Sequence, residues 1–268
     1  MERLKRYPQF FHSVVPETIM SRTVIKVVTP YAISILKYID EFTAVSPAAC
    51  GLINSISDKE VTIIPNGIEL EKYFTSDPLE KHQQVKTILF IGRLEKRKGV
   101  KYLLQAYSRI MNNNHYQLLI AGDGPDRERL ESLAEDLGLI NYRFLGYVDE
   151  TTKIKLLKDA DVFCSPAVYG ESFGIVLLEA MATSTVIVAG NNSGYSQLLK
   201  DEGQLSIINP HDIGEFARKL ELMANNQAVR ALSKKWMAKY VKTFDYREIA
   251  KTYEKFYYDV EEKRLKKT

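Results

Sequence analysis

Two glutamates eight positions apart, Glu171 and Glu179, flank a small-residue turn and the start of an apolar, helix-forming segment. Unpaired N–H groups at a helix start attract anions, so the backbone amides near Phe173, Gly174 and Ile175 are candidate ligands of a diphosphate. Glu179 lies inside the apolar segment, where a carboxylate needs a partner, and the two adjacent hydroxyls of a ribose are one candidate. The simpler alternative is a Glu171 that favours the helix dipole and a solvated Glu179.

A basic loop after an apolar run is the second candidate for anion chemistry. Residues 87–91 are typical of a buried parallel strand, and Gly92 ends the run. Arg93 follows at the carboxyl edge of that strand, where open α/β sheets bind ligands, and Lys98 lies in the same loop. Arginine supplies a planar fork and lysine a point charge, so both could face one anionic group beside Gly92. The alternative is a basic loop that is simply solvated.

Six sequence segments occur in the order and with the spacing of one enzyme family. With them the chain resembles the retaining GT-B glycosyltransferases of family 4, the glycosyl transferases group 1. Within that family it is most similar to enzymes that glycosylate lipids, such as the phosphatidylinositol mannosyltransferases. The resemblance covers roughly residues 10–258 and is carried by Ile64–Ile68, Gly92–Arg93 with Lys98–Gly99, Ala121–Pro125, Phe144–Val148, Ala160–Pro166, and Glu171–Gly174 through Glu179–Ala182.

The resemblance implies an enzyme that moves a hexosyl group from a GDP- or UDP-sugar to an acceptor hydroxyl with retention of configuration. It implies that Arg93 and Lys98 neutralise the donor diphosphate. It further implies that Glu179 binds the ribose and that Glu171 faces the transferred sugar. His12 would lie in the cleft near the sugar, although a lone histidine after two phenylalanines is more often a structural residue.

The base of the nucleotide is expected beside the segment Gly146, Tyr147 and Val148, with Glu150 or Lys153 at its edge. An acid that faces the N1 and N2 donors of guanine favours a GDP-sugar and does not exclude a UDP-sugar. The same two charged residues could equally form a solvated pair three positions apart on a helix.

Neither a metal centre nor a cofactor is indicated by the sequence. The four histidines are scattered, and no Asp-x-Asp motif occurs. We therefore expect only the nucleotide-sugar donor to bind, as a substrate. Because no well-placed enzymatic nucleophile is evident, we expect a front-face route in which the leaving phosphate helps to accept the proton of a glycan or lipid acceptor.

Composition limits the class of protein. The 268 residues are 45% hydrophobic and 26% charged, as in ordinary globular proteins. A net charge of +3 without a concentrated basic face argues against a nucleic-acid partner. Two cysteines and a start without an apolar core indicate a reducing, cytoplasmic location. The basic ends, residues 1–6 and 263–267, are either solvated or in peripheral contact with the inner face of a membrane.

Alternating strand and helix segments after residue 86 predict an α/β fold with a parallel sheet wrapped by helices, its last strand over 204–207. The resemblance implies a complete Rossmann-like donor-binding domain over 84–242. It also implies a remnant of the N-terminal, acceptor-side lobe over 1–75 and a C-terminal helix over 243–268 that crosses back to that lobe. With most of that lobe lacking, we expect a truncated frame or a separate chain that carries it. A non-catalytic nucleotide-sugar-binding half is the alternative function.

Overall fold

The computed structural model describes residues 9–11, 34, 36, 38–54, 57–74, 85–110 and 115–266. Within this part of the chain, the first lobe contains three short parallel strands that pair in chain order. They are β1 (Gln9–Phe11), β2 (Phe42–Ala44) and β3 (Val61–Ile63). After β2, Ser46 caps a 3-10 turn (Pro47–Cys50) by accepting a hydrogen bond from the Ala49 amide. The turn leads directly into the short helix α1 (Gly51–Asn54).

The second lobe is built on a six-stranded, all-parallel sheet with the order β6-β5-β4-β7-β8-β9. Its strands are β4 (Lys86–Ile91), β5 (Tyr116–Ala121), β6 (Tyr142–Gly146), β7 (Val162–Ser165), β8 (Val186–Gly190) and β9 (Ile207–Ile208). The order reverses between β4 and β7. In such sheets the crevice outside the carboxyl ends of the strands at the reversal binds ligands.

Helices connect these strands and cover both faces of the sheet. Those of the second lobe and the C-terminal region are α2 (Val100–Ile110), α3 (Arg127–Asp136), α4 (Glu150–Asp159), α5 (Ile175–Ala182), α6 (Ser193–Leu198), α7 (Ile213–Asn225), α8 (Gln227–Tyr240) and α9 (Tyr246–Leu265). Local sequence sets several starts: Asp149, Asn192, Asp212 and Asn226 each accept a backbone N–H of the first turn. Among the described residues, no helix combines the length and apolarity needed to cross a bilayer.

The core has two layers, one on each face of the six-stranded sheet. Along β4, Ile88 packs in the layer that contains Leu103 of α2, whereas Leu89 packs in the layer that contains Leu177 of α5. This alternation follows from the two-residue period of a strand. The second layer also contains Phe42 of β2, so the two lobes share one continuous apolar core.

The last helix packs on the first lobe. Ile249 and Phe256 of α9 form a small buried cluster with Ile64, which directly follows β3. At the start of the helix, the Tyr246 amide donates to the Ile68 carbonyl over 3.0 Å, and near its end Lys263 lies 3.1 Å from Glu41. The C-terminal helix therefore joins the second lobe to the first.

Two boundaries differ from the sequence prediction. Instead of a strand over 204–207, the chain forms a 3-10 turn (Asp201–Ser206), and β9 begins only at Ile207. The turn starts at Asp201 with a φ of 50° and packs Gly203 against the Trp236 ring of α8, which keeps this segment out of the sheet. The C-terminal helix expected over 243–268 begins only at Tyr246, because Val241–Phe244 form a 3-10 turn and Asp245 caps the start of α9.

Candidate active site

The basic loop after β4 folds into a tight turn that is fixed to the neighbouring loop. A 3-10 turn (Lys96–Lys98) ends at Gly99, which adopts a left-handed φ of 71°. A methyl group at Gly99 would overlap the carbonyl oxygen of Pro166, so glycine permits this close approach. The Val168 amide also donates to the Arg97 carbonyl over 2.8 Å. The loops after β4 and β7, the two strands at the reversal, are therefore held together.

Glu171 belongs to the loop after β7 and is bound by two cations of the loop after β4. Lys98 Nζ is 2.6 Å and Arg97 Nη1 is 2.7 Å from the same carboxylate oxygen, Oε1. Arg97 also donates to the Gly170 carbonyl over 3.2 Å and to Glu95 over 2.8 Å. Burial opposes the charge of Arg97, but its bonds to Glu95 and the charge of Glu171 outweigh burial and raise the pKa of Arg97.

Arg93 lies apart from this carboxylate. Its side chain is 68% exposed, and Nε is 2.7 Å from Oε1 of Glu95. Because Glu95 binds Arg97 with its other oxygen, it links Arg93 to the cluster indirectly. The structure thus brings Lys98 to Glu171 but does not bring Arg93 there, since a carboxylate two positions along the chain takes its guanidinium.

The start of α5 depends on glycine at position 174. Gly174 is the N-cap, with a φ of 97°, and a Cβ there would lie 2.7 Å from the ring of Tyr195. Tyr195 is fully buried, and its hydroxyl lies 2.8 Å from Ser165 Oγ. Burial, followed by the charge of Glu171, raises the pKa of Tyr195. Within the described part of the chain no side chain caps this helix start, so an anion could meet its N–H groups.

The first lobe touches the loop that carries Glu171. Ser46 Oγ donates to the Ser172 carbonyl, and the Ala48 amide donates to Gln197 Oε1 over 3.1 Å. On the side of the second lobe, Gly194 of α6 packs against the Glu171 carbonyl so closely that a side chain at position 194 would overlap it. Contacts from both lobes therefore fix the backbone at Glu171.

Glu179 is 8% exposed and belongs to a second charged cluster. Lys153 Nζ is 2.7 Å from Glu179 and 2.8 Å from Glu150, and the Tyr73 hydroxyl lies 3.4 Å from Glu150. Burial raises the pKa of Glu179, although Lys153 partly opposes this effect. Burial, with the charges of Glu179 and Glu150, also raises the pKa of Tyr73. Glu179 is thus a buried acid with a partner, not the solvated residue of the alternative interpretation.

The segment predicted to surround the base lies next to this cluster in the chain. Gly146 ends β6 with a φ of 69°, Tyr147 is 84% exposed, and Val148 is half-buried. Glu150 and Lys153 do form the pair three positions apart that the alternative interpretation predicted. Lys153 also reaches Glu179, and therefore connects the predicted base and ribose contacts.

Three further points of the sequence analysis concern His12, a metal site and the other members of the two charged clusters. His12 lies outside the described residues, so its place near the sugar stays a prediction. Among the described residues, no group of three or more His, Cys, Asp or Glu side chains is arranged to hold a metal ion. Sequence reasoning missed Arg97, Glu95 and Tyr73 as members of the two clusters. The position of Arg97 next to Lys98 in the basic loop could have indicated its role, whereas nothing in the sequence around Tyr73 could have done so.

The raised pKa of Glu179 gives a testable pH dependence. If this carboxylate accepts hydrogen bonds from a ribose, affinity for UDP or GDP should fall as the pH drops through its pKa, at a pH above the ordinary value of 4.5. Above that range, the contribution of Glu179 to the affinity should be constant. Calorimetric titrations that extend from pH 8 down to pH 4.5 should show this fall, and Glu179→Gln should lack it. The variant corrects for protonation of the nucleotide itself, so identical pH profiles for both proteins would contradict the assignment.

The two parallel sheets, with a basic turn and a glycine-started helix at the strand reversal, define an α/β protein of the GT-B glycosyltransferase type. The sequence profile described as Glycosyl transferases group 1 matches residues 72–242, and the chain belongs to this family.

Relatives and solved structures agree with this class. A phosphatidyl-myo-inositol mannosyltransferase of Mycobacterium leprae is 37% identical over 191 residues, which are 70% of this chain and 50% of the relative. That of Mycobacterium tuberculosis is 40% identical over 155 residues, 56% of this chain and 40% of the relative. Anabaena HepE in complex with UDP superposes with a TM-score of 0.81 at 19% identity, over 95% of this chain and 72% of that chain. The chain thus spans about half the length of the mycobacterial relatives.

Proposed function

We propose that this chain binds a nucleotide diphosphate sugar and takes part in transfer of its hexosyl group to an acceptor hydroxyl with retention of configuration. One observation carries the proposal. Lys98 and Arg97 converge on Glu171 directly ahead of the glycine-started helix α5, and Glu179 lies buried further along that helix. This arrangement lies in the crevice where the strand order reverses, the usual ligand position of such sheets.

The diphosphate is assigned to the basic turn and the start of α5. Lys98 and Arg93 neutralise its charge beside Gly92. The amides near Phe173, Gly174 and Ile175 bind the distal phosphate. Fixed positive groups stabilise the charge that develops on the departing nucleotide, usually the largest single contribution to such a reaction. We propose no metal or cofactor, because these groups supply the positive charge.

The nucleoside is assigned to the cluster around Lys153. Glu179 accepts hydrogen bonds from the ribose, while Val148 and Glu150 border the base. The donor is a GDP- or a UDP-sugar. The structure of HepE holds UDP, which supports a UDP-sugar, and the name of the mycobacterial relatives supports mannose as the transferred hexose.

The transferred sugar is assigned to Glu171. The ion pair with Arg97 lowers the nucleophilicity of this carboxylate, which makes it poorly suited to attack the sugar. We therefore favour a front-face route in which the leaving phosphate helps to accept the acceptor's proton. The acceptor is a glycan or a lipid, and the phosphatidyl-myo-inositol in the name of the relatives favours a lipid.

Contact with a membrane surface is a further part of the proposal. Its basis is the basic C-terminal end, although Lys263 and Lys266 are each paired with a carboxylate and present less free charge than their number suggests. Co-sedimentation with anionic vesicles at low and high salt tests it, and binding that is absent at low salt contradicts it.

A second candidate function is a nucleotide-sugar-binding half that transfers sugar only together with a separate N-terminal lobe. The observation that favours it is that the matched residues are 50% of the Mycobacterium leprae relative and 40% of the Mycobacterium tuberculosis relative.

Calorimetry with UDP and GDP, followed by an assay of donor hydrolysis and transfer, tests both candidates. Binding of one nucleotide together with turnover supports the first candidate. Binding without turnover until an N-terminal lobe is added supports the second. Lack of binding to any nucleotide sugar overturns both. A trapped glycosyl-enzyme adduct would contradict the front-face route.

A further inference from the structure

The proposed function assigns Arg97 no contact with the donor or the acceptor, yet its side chain binds more acceptors than that of Lys98 or Arg93. Its side chain is 27% exposed and reaches three acceptors: Glu171 Oε1, the Gly170 carbonyl and Glu95 Oε2. Glu95 holds the Nε edge of the guanidinium, while Nη1 points at Glu171. The planar group is therefore fixed at one end by an acid of its own turn and points its other end at the sugar-facing acid.

Lys98 and Arg97 share one carboxylate oxygen but differ in how they are held. Among the described residues, Lys98 forms an ion pair with Glu171 alone, on a flexible four-carbon stem. A lysine ammonium is a point charge that can turn to another anion, whereas the arginine fork has a fixed geometry. When the donor diphosphate binds, Lys98 can exchange Glu171 for a phosphate while Arg97 stays in place.

We propose that Arg97 is a positioning residue that holds Glu171 toward the transferred sugar after Lys98 has moved to the diphosphate. The proposal rests on the proposed function, since it needs a nucleotide-sugar donor at this site. It goes beyond that function because it gives the two cations different roles, in which Lys98 binds the donor and Arg97 orients the acid.

The fold of the turn does not depend on Arg97. The turn and the loop after β7 are also joined by a backbone hydrogen bond from Val168 and by the packing of Gly99 on Pro166. These contacts do not need the guanidinium. Loss of the side chain should therefore leave the turn folded and the nucleotide site intact while Glu171 loses its orientation.

The experiment compares Arg97→Leu and Arg97→Lys with the wild type and with Arg218→Leu, which replaces an exposed arginine of α7 that belongs to neither charged cluster. Calorimetry measures the affinity for UDP and for a UDP-sugar, and for GDP and for a GDP-sugar. The quantity compared between variants is the affinity for the nucleotide sugar divided by the affinity for the nucleotide. Arg97→Leu should lose roughly tenfold or more of this ratio, because a hydrogen bond between two charged groups contributes more than one between neutral groups. Affinity for the nucleotide alone should change less than about threefold. Arg97→Lys should recover part of the loss.

Where the wild type transfers sugar, kcat/KM for the donor should fall by at least the same order in Arg97→Leu, and KM for the donor should rise in step with the lost nucleotide-sugar affinity. In a Glu171→Gln background, Arg97→Leu should add less than about threefold, since both changes then remove one interaction. Two results would overturn this proposal. One is an affinity ratio that Arg97→Leu leaves unchanged, which includes equal losses for the nucleotide and the nucleotide sugar. The other is a wild type that binds the nucleotide sugar no more tightly than the nucleotide. Failure of the proposed function is distinct, because then the wild type binds neither ligand.

Discussion

Replacing Lys98 by alanine is expected to lower the rate of hexosyl transfer by about 10²–10³-fold, the cost of removing one preorganised donor from a developing negative charge. Nucleotide affinity should fall by roughly tenfold or more, since a charge-assisted bond to phosphate is lost. The side chain is mostly buried beside Glu171, so no other lysine of the turn takes its place. Calorimetry with UDP and GDP measures the nucleotide affinity, and transfer assays measure the rate.

Lys96→Ala is the matched control, because it removes the same charge from the same 3-10 turn. Lys96 is exposed and lines a pocket on the other side of the turn with Lys101 and Arg129. Net charge therefore changes equally in both variants, and only the position differs. Equal losses in the two variants would show that the turn acts through its overall charge, and would contradict a specific contact from Lys98.

Gly99→Ala should lower the free energy of unfolding by about 2–5 kcal/mol. A left-handed backbone costs a residue with a Cβ about 1–2 kcal/mol, and forcing a methyl group into a close-packed contact costs about 1–3 kcal/mol more. Both apply, because Gly99 has a φ of 71° and directly faces the Pro166 carbonyl. Urea denaturation measures the loss. Because the turn must shift to relieve the overlap, nucleotide affinity of the folded variant should fall too.

Gly138→Ala separates the two causes. Gly138 follows α3 with a φ of 60°, and nothing in the described structure lies within 4 Å of a Cβ built there. This variant should lose only the backbone contribution, about 1–2 kcal/mol, and keep full nucleotide affinity. If the two glycine variants lose equal stability, the contact of the turn with Pro166 is not a tight one, and the fixed geometry of the site loses its main support.

These predictions share one physical basis. The residues around Glu171 are held by short contacts between two loops, by Ser46 of the first lobe and by a glycine approach from α6. A site held in this way needs little reorganisation when charge develops, which is the condition under which electrostatic stabilisation is effective.

Local sequence patterns predicted much of the fold. The apolar run before Gly92 and the alternation of strands and helices predicted a parallel α/β sheet, and this prediction was confirmed. The pattern failed over 204–207, where a left-handed Asp201 and packing against Trp236 override strand propensity. Strand propensity depends on tertiary context, so a short apolar segment carries little information by itself.

By itself, the sequence determined the class of fold, the strand end that carries the basic turn, and the helix that carries Glu179. These follow from periodicity and from glycine positions, which act over a few residues. Only the tertiary structure decided the partners: Arg97 with Glu171, Lys153 with Glu179, and Tyr73 beside Glu150. The partners lie 74, 26 and 77 positions apart. Which charges meet across such separations depends on strand order and on the packing of whole loops, and no local pattern contains that information.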